Sequence, residues 1–213
     1  MKRMMTVKAL LLFSFFVFLP FTATAQTDWA PTWSVTPHVG FNSSNMSGMD
    51  VWYANFYGDD MKVAKSKRKI GFVAGAEVDY HYIRRLSTAV GVWYSHEGCK
   101  YDIEDNPAFR FNLLNFTAVE NFYLVKGLAV KTGLQLGVVL SASEKVAGAS
   151  EDVSNAFKKV NFSIPVGLSY EYCGVVLDAR YNIGLTDLCN IANLDPNWST
   201  NAFWLTLGYR FGL

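Results

Sequence analysis

The chain has 213 residues, room for one domain or two. Apolar residues make up 51% and charged residues only 17%, whereas soluble domains carry about 25% charge. The net charge of +1 removes any bulk electrostatic case for nucleic acid or an acidic surface as partner.

The N-terminus reads as a separate object. Lys2, Arg3 and Lys8 precede a 13-residue apolar run over 9–21, and Ala23, Thr24 and Ala25 supply the small residues of a cleavage site. The run is short of the roughly 20 residues that a spanning helix needs. The expectation is a signal peptide over 1–25 and a mature domain over 26–213. No run of about 18 apolar residues follows, which excludes a helical membrane protein.

The mature part alternates with period two. Residues 33–41 form the first predicted strand, with Trp33, Val35, Val39 and Phe41 on one parity. Over 69–81, Ile70, Phe72, Ala74, Ala76, Val78 and Tyr80 oppose Lys69, Gly71, Val73, Gly75, Glu77, Asp79 and His81. Since successive strand side chains point to opposite faces, one face is apolar and the other polar or small. The pattern returns from Leu86, from Leu128, over 160–172, over 175–184 and over 203–213. Residues 111–123 read as a fourth strand with poor alternation, and its faces cannot be assigned from sequence. The total is eight. Pro37 and Pro165 each remove a ladder donor, which points to a bulge or a rim.

The predicted connections alternate in length. Tight gaps fall near 82–85, 126–127 and 173–174; long polar ones fall near 42–68, 98–109, 141–159 and 186–200. Short turns on one side, long loops on the other and strands of 10 to 14 residues are habits of outer-membrane barrels. The second parity is rich in glycine and carries isolated charges of both signs, as a narrow lumen would. The tyrosines Tyr80, Tyr94, Tyr170, Tyr172, Tyr181 and Tyr209 suit interfacial girdles. The expected fold is all-β, an eight-stranded antiparallel up-and-down transmembrane barrel. The competing reading is a soluble periplasmic ligand-binding barrel with the apolar parity inward.

Three stretches carry a family resemblance: GFNSSNMSG at 40–48, LDARYNIGLTD at 177–187 and LGYRF at 207–211. They resemble motifs of the PorT-like outer-membrane β-barrel family. The resemblance implies an eight-stranded barrel, exported by the general secretory route and inserted by the outer-membrane assembly machinery. It also implies a tie to the secretion of surface proteins, the role of the family's founding member.

Candidate site residues fall into groups. Glu77, Asp79, Lys131, Glu171, Asp178, Arg180 and Arg210 share the lumen parity. They read as a charge network filling the barrel, because unpaired buried charges are costly; the sharper alternative is an ion or proton path. Trp52, Tyr53, Phe56 and Tyr57 in the first long loop form a recognition patch or extend a strand above the membrane. Lys62, Lys65, Lys67, Arg68 and Lys69 form a basic cluster suited to lipopolysaccharide phosphates, or a solvated loop. A lipid-modifying enzyme would centre on His96, but Ser95 and Glu97 fall on the opposite strand face. Cys99 and Cys189 both lie on the long-loop side, within reach of a disulfide bridge; Cys173 would be left over. CxxC spacing is absent, and no metal or cofactor is expected. The expected role is structural or interactive, with membrane lipid as surroundings and an unidentified surface protein or host ligand as partner.

Overall fold

The computed structural model describes residues 32–48, 51–54, 61–64, 66–101, 107–146, 149–188 and 198–213. The expected signal peptide, Phe56, Tyr57, Lys65 and Cys189 lie outside the described residues.

The elements are β1 (Thr32–Ser47), β2 (Val51–Ala54), β3 (Met61–Ala64), β4 (Lys67–Ile83), β5 (Leu86–Lys100), β6 (Ala108–Val125), β7 (Leu128–Val146), β8 (Ala149–Asp152), β9 (Val160–Tyr172), β10 (Val175–Gly184), β11 (Ser199–Tyr209) and β12 (Phe211–Gly212). Eight of these are long. β1, β4, β5, β6, β7, β9, β10 and β11 pair antiparallel with their chain neighbours, and β11 returns to pair with β1. The sheet is therefore closed and leaves no free edge. β2 and β3 form a separate hairpin in the first long connection.

Following the pairings once around gives the stagger. Leu128 faces Tyr170, then Leu177, Leu207, Val39, Ala74, Tyr94 and Leu114, and the path re-enters β7 at Val138. The return is ten residues further along β7, which fits a strand tilt of about 40° and a lumen just wide enough for its own side chains. Each step along this path climbs about 3 Å toward the long-loop end.

The tight turns hold the other end together. Cys173 (φ 49°) and Gly174 (φ 81°) both adopt positive φ, as the two-residue hairpin turn with the right twist requires. The prolines sit inside strands and at neither rim. Pro37 pairs with Ala76, and on its other side the ladder breaks between β11 and β12. Pro165 pairs with Asn182, while the β7–β9 ladder skips from Thr132↔Val166 to Gln135↔Ser163. Each missing N–H is thus accommodated by interrupting one of the two flanking ladders.

The outward face carries Phe41 (69% exposed), Val90, Val92, Phe116, Phe162, Leu168, Leu177, Leu205 and Leu207. Soluble proteins rarely expose so much apolar surface in one belt; this face meets lipid. Trp33, Tyr80, Tyr170, Tyr172, Tyr209 and Phe211 bound it at the short-turn end. Allowing for the climb between strands, Ser43, His96, Asn112 and Asn201 bound it on one level at the loop end. The two levels are roughly 23 Å apart, close to the ~25 Å of a membrane barrel's apolar band.

Above that band the pattern inverts. Met46, Cys99, Tyr101, Phe109, Phe111, Leu113 and Ala142 point inward and pack with Phe157 and Leu188 from the loops. Phe157 meets Phe111 edge-on at 4.8 Å. The barrel therefore continues beyond the membrane as a water-facing barrel with an apolar core. β6 passes through both regimes. Its inward residues are Phe109, Phe111 and Leu113, then the mostly polar Asn115, Thr117, Val119 and Asn121; its outward ones are Arg110 and Asn112, then the mostly apolar Leu114, Phe116, Ala118 and Glu120. The faces that alternation left unassigned are settled by this reversal within one strand.

Candidate functional site

The lumen is filled in layers. At its centre, Lys131 on β7 reaches Glu77 on β4 (3.0 Å) and Asp178 on β10 (2.6 Å). Arg180 donates to Asp178 through Nε at 2.7 Å and meets Glu77 at 2.9 Å. His38 on β1 lies 3.9 Å from the Glu77 carboxylate. All five are at most 5% exposed. Two carboxylates share two cations, so the buried group is neutral as a unit and each charge has a partner, the condition for tolerating ions away from water.

A layer nearer the short turns holds the other three residues singled out in the lumen. Arg210 forms an ion pair with Glu171 at 3.1 Å and lies 3.7 Å from Asp79. Asn121 and Ser87 donate to Asp79 at 2.9 and 3.2 Å. This layer floors a cavity of about 890 Å³ open to the short-turn end, lined by His81, Arg84, Arg85 and Lys126 among others. The seven lumen residues thus fall into two clusters, and His38 joins the first. His38 shares the polar parity of β1, which was its only sequence signal.

On the loop side of the central cluster lie Trp93 and Trp204. The Arg180 guanidinium sits 4.6 Å over Trp93 and 5.9 Å from Trp204. Both indoles are fully buried and close the bore above the ion pairs. Above them Glu97 is 4% exposed and accepts from Ser95 (3.0 Å) and Trp204 Nε1 (3.3 Å). The two tryptophans face inward on strands whose parity reads polar, so alternation alone gave no sign of their role.

The outward face has two polar interruptions. Glu120 accepts from Tyr82 (2.9 Å) and Thr88 (2.6 Å) just inside the short-turn girdle. At the loop-end boundary His96 Nδ1 lies 2.7 Å from Asn112 Oδ1, and Asn112 Nδ2 donates to Ser141 at 2.8 Å. His96 and Ser95 do lie on opposite faces, and Ser141 is separated from His96 by the amide of Asn112. A serine nucleophile bonded to its histidine base is not formed here.

Trp52 and Tyr53 lie on β2, in the hairpin separate from the barrel sheet. Of the basic cluster, Lys62 is on β3 and Lys67, Arg68 and Lys69 open β4. Arg68 reaches the Ser43 carbonyl (3.4 Å) and lies 5.8 Å over the ring of Tyr181. Cys99 is a buried thiol, and the bridge expected to Cys189 falls on a residue outside those described. Among the described residues no group of His, Cys, Asp and Glu could hold a metal ion.

The profile of a family described as outer membrane protein beta-barrel domain matches residues 24–190. The chain belongs to this family. It is an integral protein of the outer membrane, and barrels of that membrane keep short turns on the periplasmic side and long loops outside. Neisserial surface protein A is similar in fold, with a TM-score of 0.52 at 16% identity over 86% of this chain and all of that one. Weaker likenesses are to Ail, the attachment invasion locus protein of Yersinia pestis (TM-score 0.46, 18% identity, 84% and 98% covered), and OprG of Pseudomonas aeruginosa (0.42, 12%, 84% and 95%). No protein of curated function matches the sequence significantly.

Proposed function

We propose that this outer-membrane barrel is a non-enzymatic display scaffold of the PorT-like kind, whose long external loops engage a surface protein or host ligand. The observation that carries the reading is the filled lumen: Arg180, Trp93 and Trp204 occupy the bore, so what distinguishes this barrel from its lipid surroundings is its loop end. The separation of His96 from Ser141 supports the non-enzymatic part. The stretch LDARYNIGLTD at 177–187 supports the PorT-like part. Residues 1–25 act as a signal peptide, and the assembly machinery inserts the mature chain. Trp52, Tyr53, Phe56 and Tyr57 form the working patch, since clustered aromatics supply contact area at low entropic cost.

The test is a deletion strain complemented by the wild-type chain or by a chain with those four residues changed to Ser. The expected result is an unchanged lipid profile and a changed set of macromolecules held at the cell surface, restored by the wild type only. A changed lipid profile would favour an enzyme around His96. Loss of secreted surface proteins, restored by both chains, would favour the secretion role that the resemblance implies.

A further inference from the structure

The loop-end boundary of the lipid face holds an arrangement that the display reading does not use. Lys69 Nζ stands 3.4 Å from His96 Nε2, and His96 Nδ1 is 2.7 Å from the Asn112 side-chain oxygen. Tyr94 also donates to that oxygen, at 3.0 Å. An amide oxygen only accepts, so Nδ1 carries the ring proton and Nε2 accepts from Lys69. One of the three ammonium N–H groups is thereby used and two remain. Arg110, two residues before Asn112, faces Gly98 on β5, and on the other side of β5 Arg68 faces Cys99, so Lys69 and Arg110 flank the same stretch of that strand. Its Nε is buried with no partner. No carboxylate is paired with either cation among the described residues.

Two cations held together without a counter-charge are unfavourable unless an anion joins them. Both residues are only half-buried, so an anion can reach them. The level at which they sit decides which anion. His96 and Asn112 mark the upper limit of the apolar belt, above Tyr94 and Leu114, where lipid headgroups begin. We propose that Lys69 and Arg110, with Lys69 held in place by His96 and Asn112, bind the phosphate of a phosphorylated lipid of the outer leaflet. Guanidinium and ammonium donors match phosphate oxygens in geometry and charge. The site rests on the membrane placement alone and is independent of what the loops bind.

The full-length protein, folded in mild detergent, is mixed with diphosphoryl lipid A or with the same lipid A stripped of its phosphates. Native mass spectrometry then reads the retained lipid. The wild type is expected to prefer the phosphorylated form at least tenfold. K69Q/R110Q is expected to lose the preference, and K158Q, at an exposed pair with Asp187, to keep it. Equal retention of the two lipids by the wild type, or an intact preference in K69Q/R110Q, overturns the proposal. Folding of each variant is checked by its mobility shift on boiling. Should the double variant fail that check, K69Q and R110Q are compared singly: a preference reduced at least threefold in either supports the site, and an undiminished one in both overturns it.

Discussion

The guanidinium of Arg180 lies 4.6 Å over the ring of Trp93 while its Nε donates to Asp178 at 2.7 Å. One side chain thus joins the buried ion pairs to the aromatic seal above them. Removing it would leave Glu77 sharing Lys131 with Asp178, with a void beneath the indole. Arg180→Ala is expected to cost about 3–5 kcal/mol, the range for breaking a buried pair, read from urea unfolding in detergent. Lys158→Ala, at the exposed pair with Asp187, is expected to cost about 1 kcal/mol or less. Equal losses in the two variants would contradict this account of the buried pairs.

The same contact bears on permeation. Trp93 and Trp204 are fully buried across the bore and four charges are locked beneath them, an arrangement that obstructs the passage of water and ions. In planar bilayers the wild-type barrel is expected to show no stepwise conductance, and W93G/W204G to introduce it. Steady single-channel steps from the wild type would restore the ion-path reading of the lumen charges.

Trp93 in turn depends on two glycines. A Cβ at Gly75 would lie 2.7 Å from the Trp93 ring and 2.4 Å from the Val92 carbonyl oxygen; one at Gly91 would lie 2.7 Å from Trp93 Nε1 and 2.8 Å from Thr117 Oγ1. Neither neighbour can retreat in a bore of this width. Gly75→Val and Gly91→Val are each expected to abolish the heat-modifiable folded form on gels. Gly212→Val, where a Cβ meets nothing within 4 Å, is expected to fold normally.

The thiols offer a test of the inverted upper core. Cys99 lies above the membrane band among Met46, Tyr101 and Phe109, where burial pushes its thiol up to about 11. Cys173 is exposed in a periplasmic turn. Maleimide at pH 7 should label Cys173 in the folded protein and spare Cys99, with both labelled after unfolding, as read by peptide mass mapping. Rapid labelling of Cys99 in the folded barrel would mean that the apolar cap does not close.

Much of this architecture is local and was legible in sequence. Alternation in 69–81, 160–172 and 175–184 depends only on successive side chains pointing to opposite faces, so the outward and inward sets were readable before any pairing was known. Alternating connection lengths assigned the two ends by the same local logic. The lumen parity named the seven charged residues, because a charge on a lipid-facing parity would be costly.

What needed the tertiary structure was everything set by stagger and depth. Ten residues of shear decide that Lys131 meets Glu77 and Asp178 while Arg210 meets Glu171; residues on four different strands and at the β11–β12 junction cannot be matched by periodicity within any one strand. The reversal within β6 followed the change of outside solvent from lipid to water, a boundary that no single strand's sequence marks. Lys69, His96, Asn112 and Arg110 also came together only through strand register. Sequence sufficed for which way each side chain points; its partner and its solvent depend on how eight strands close.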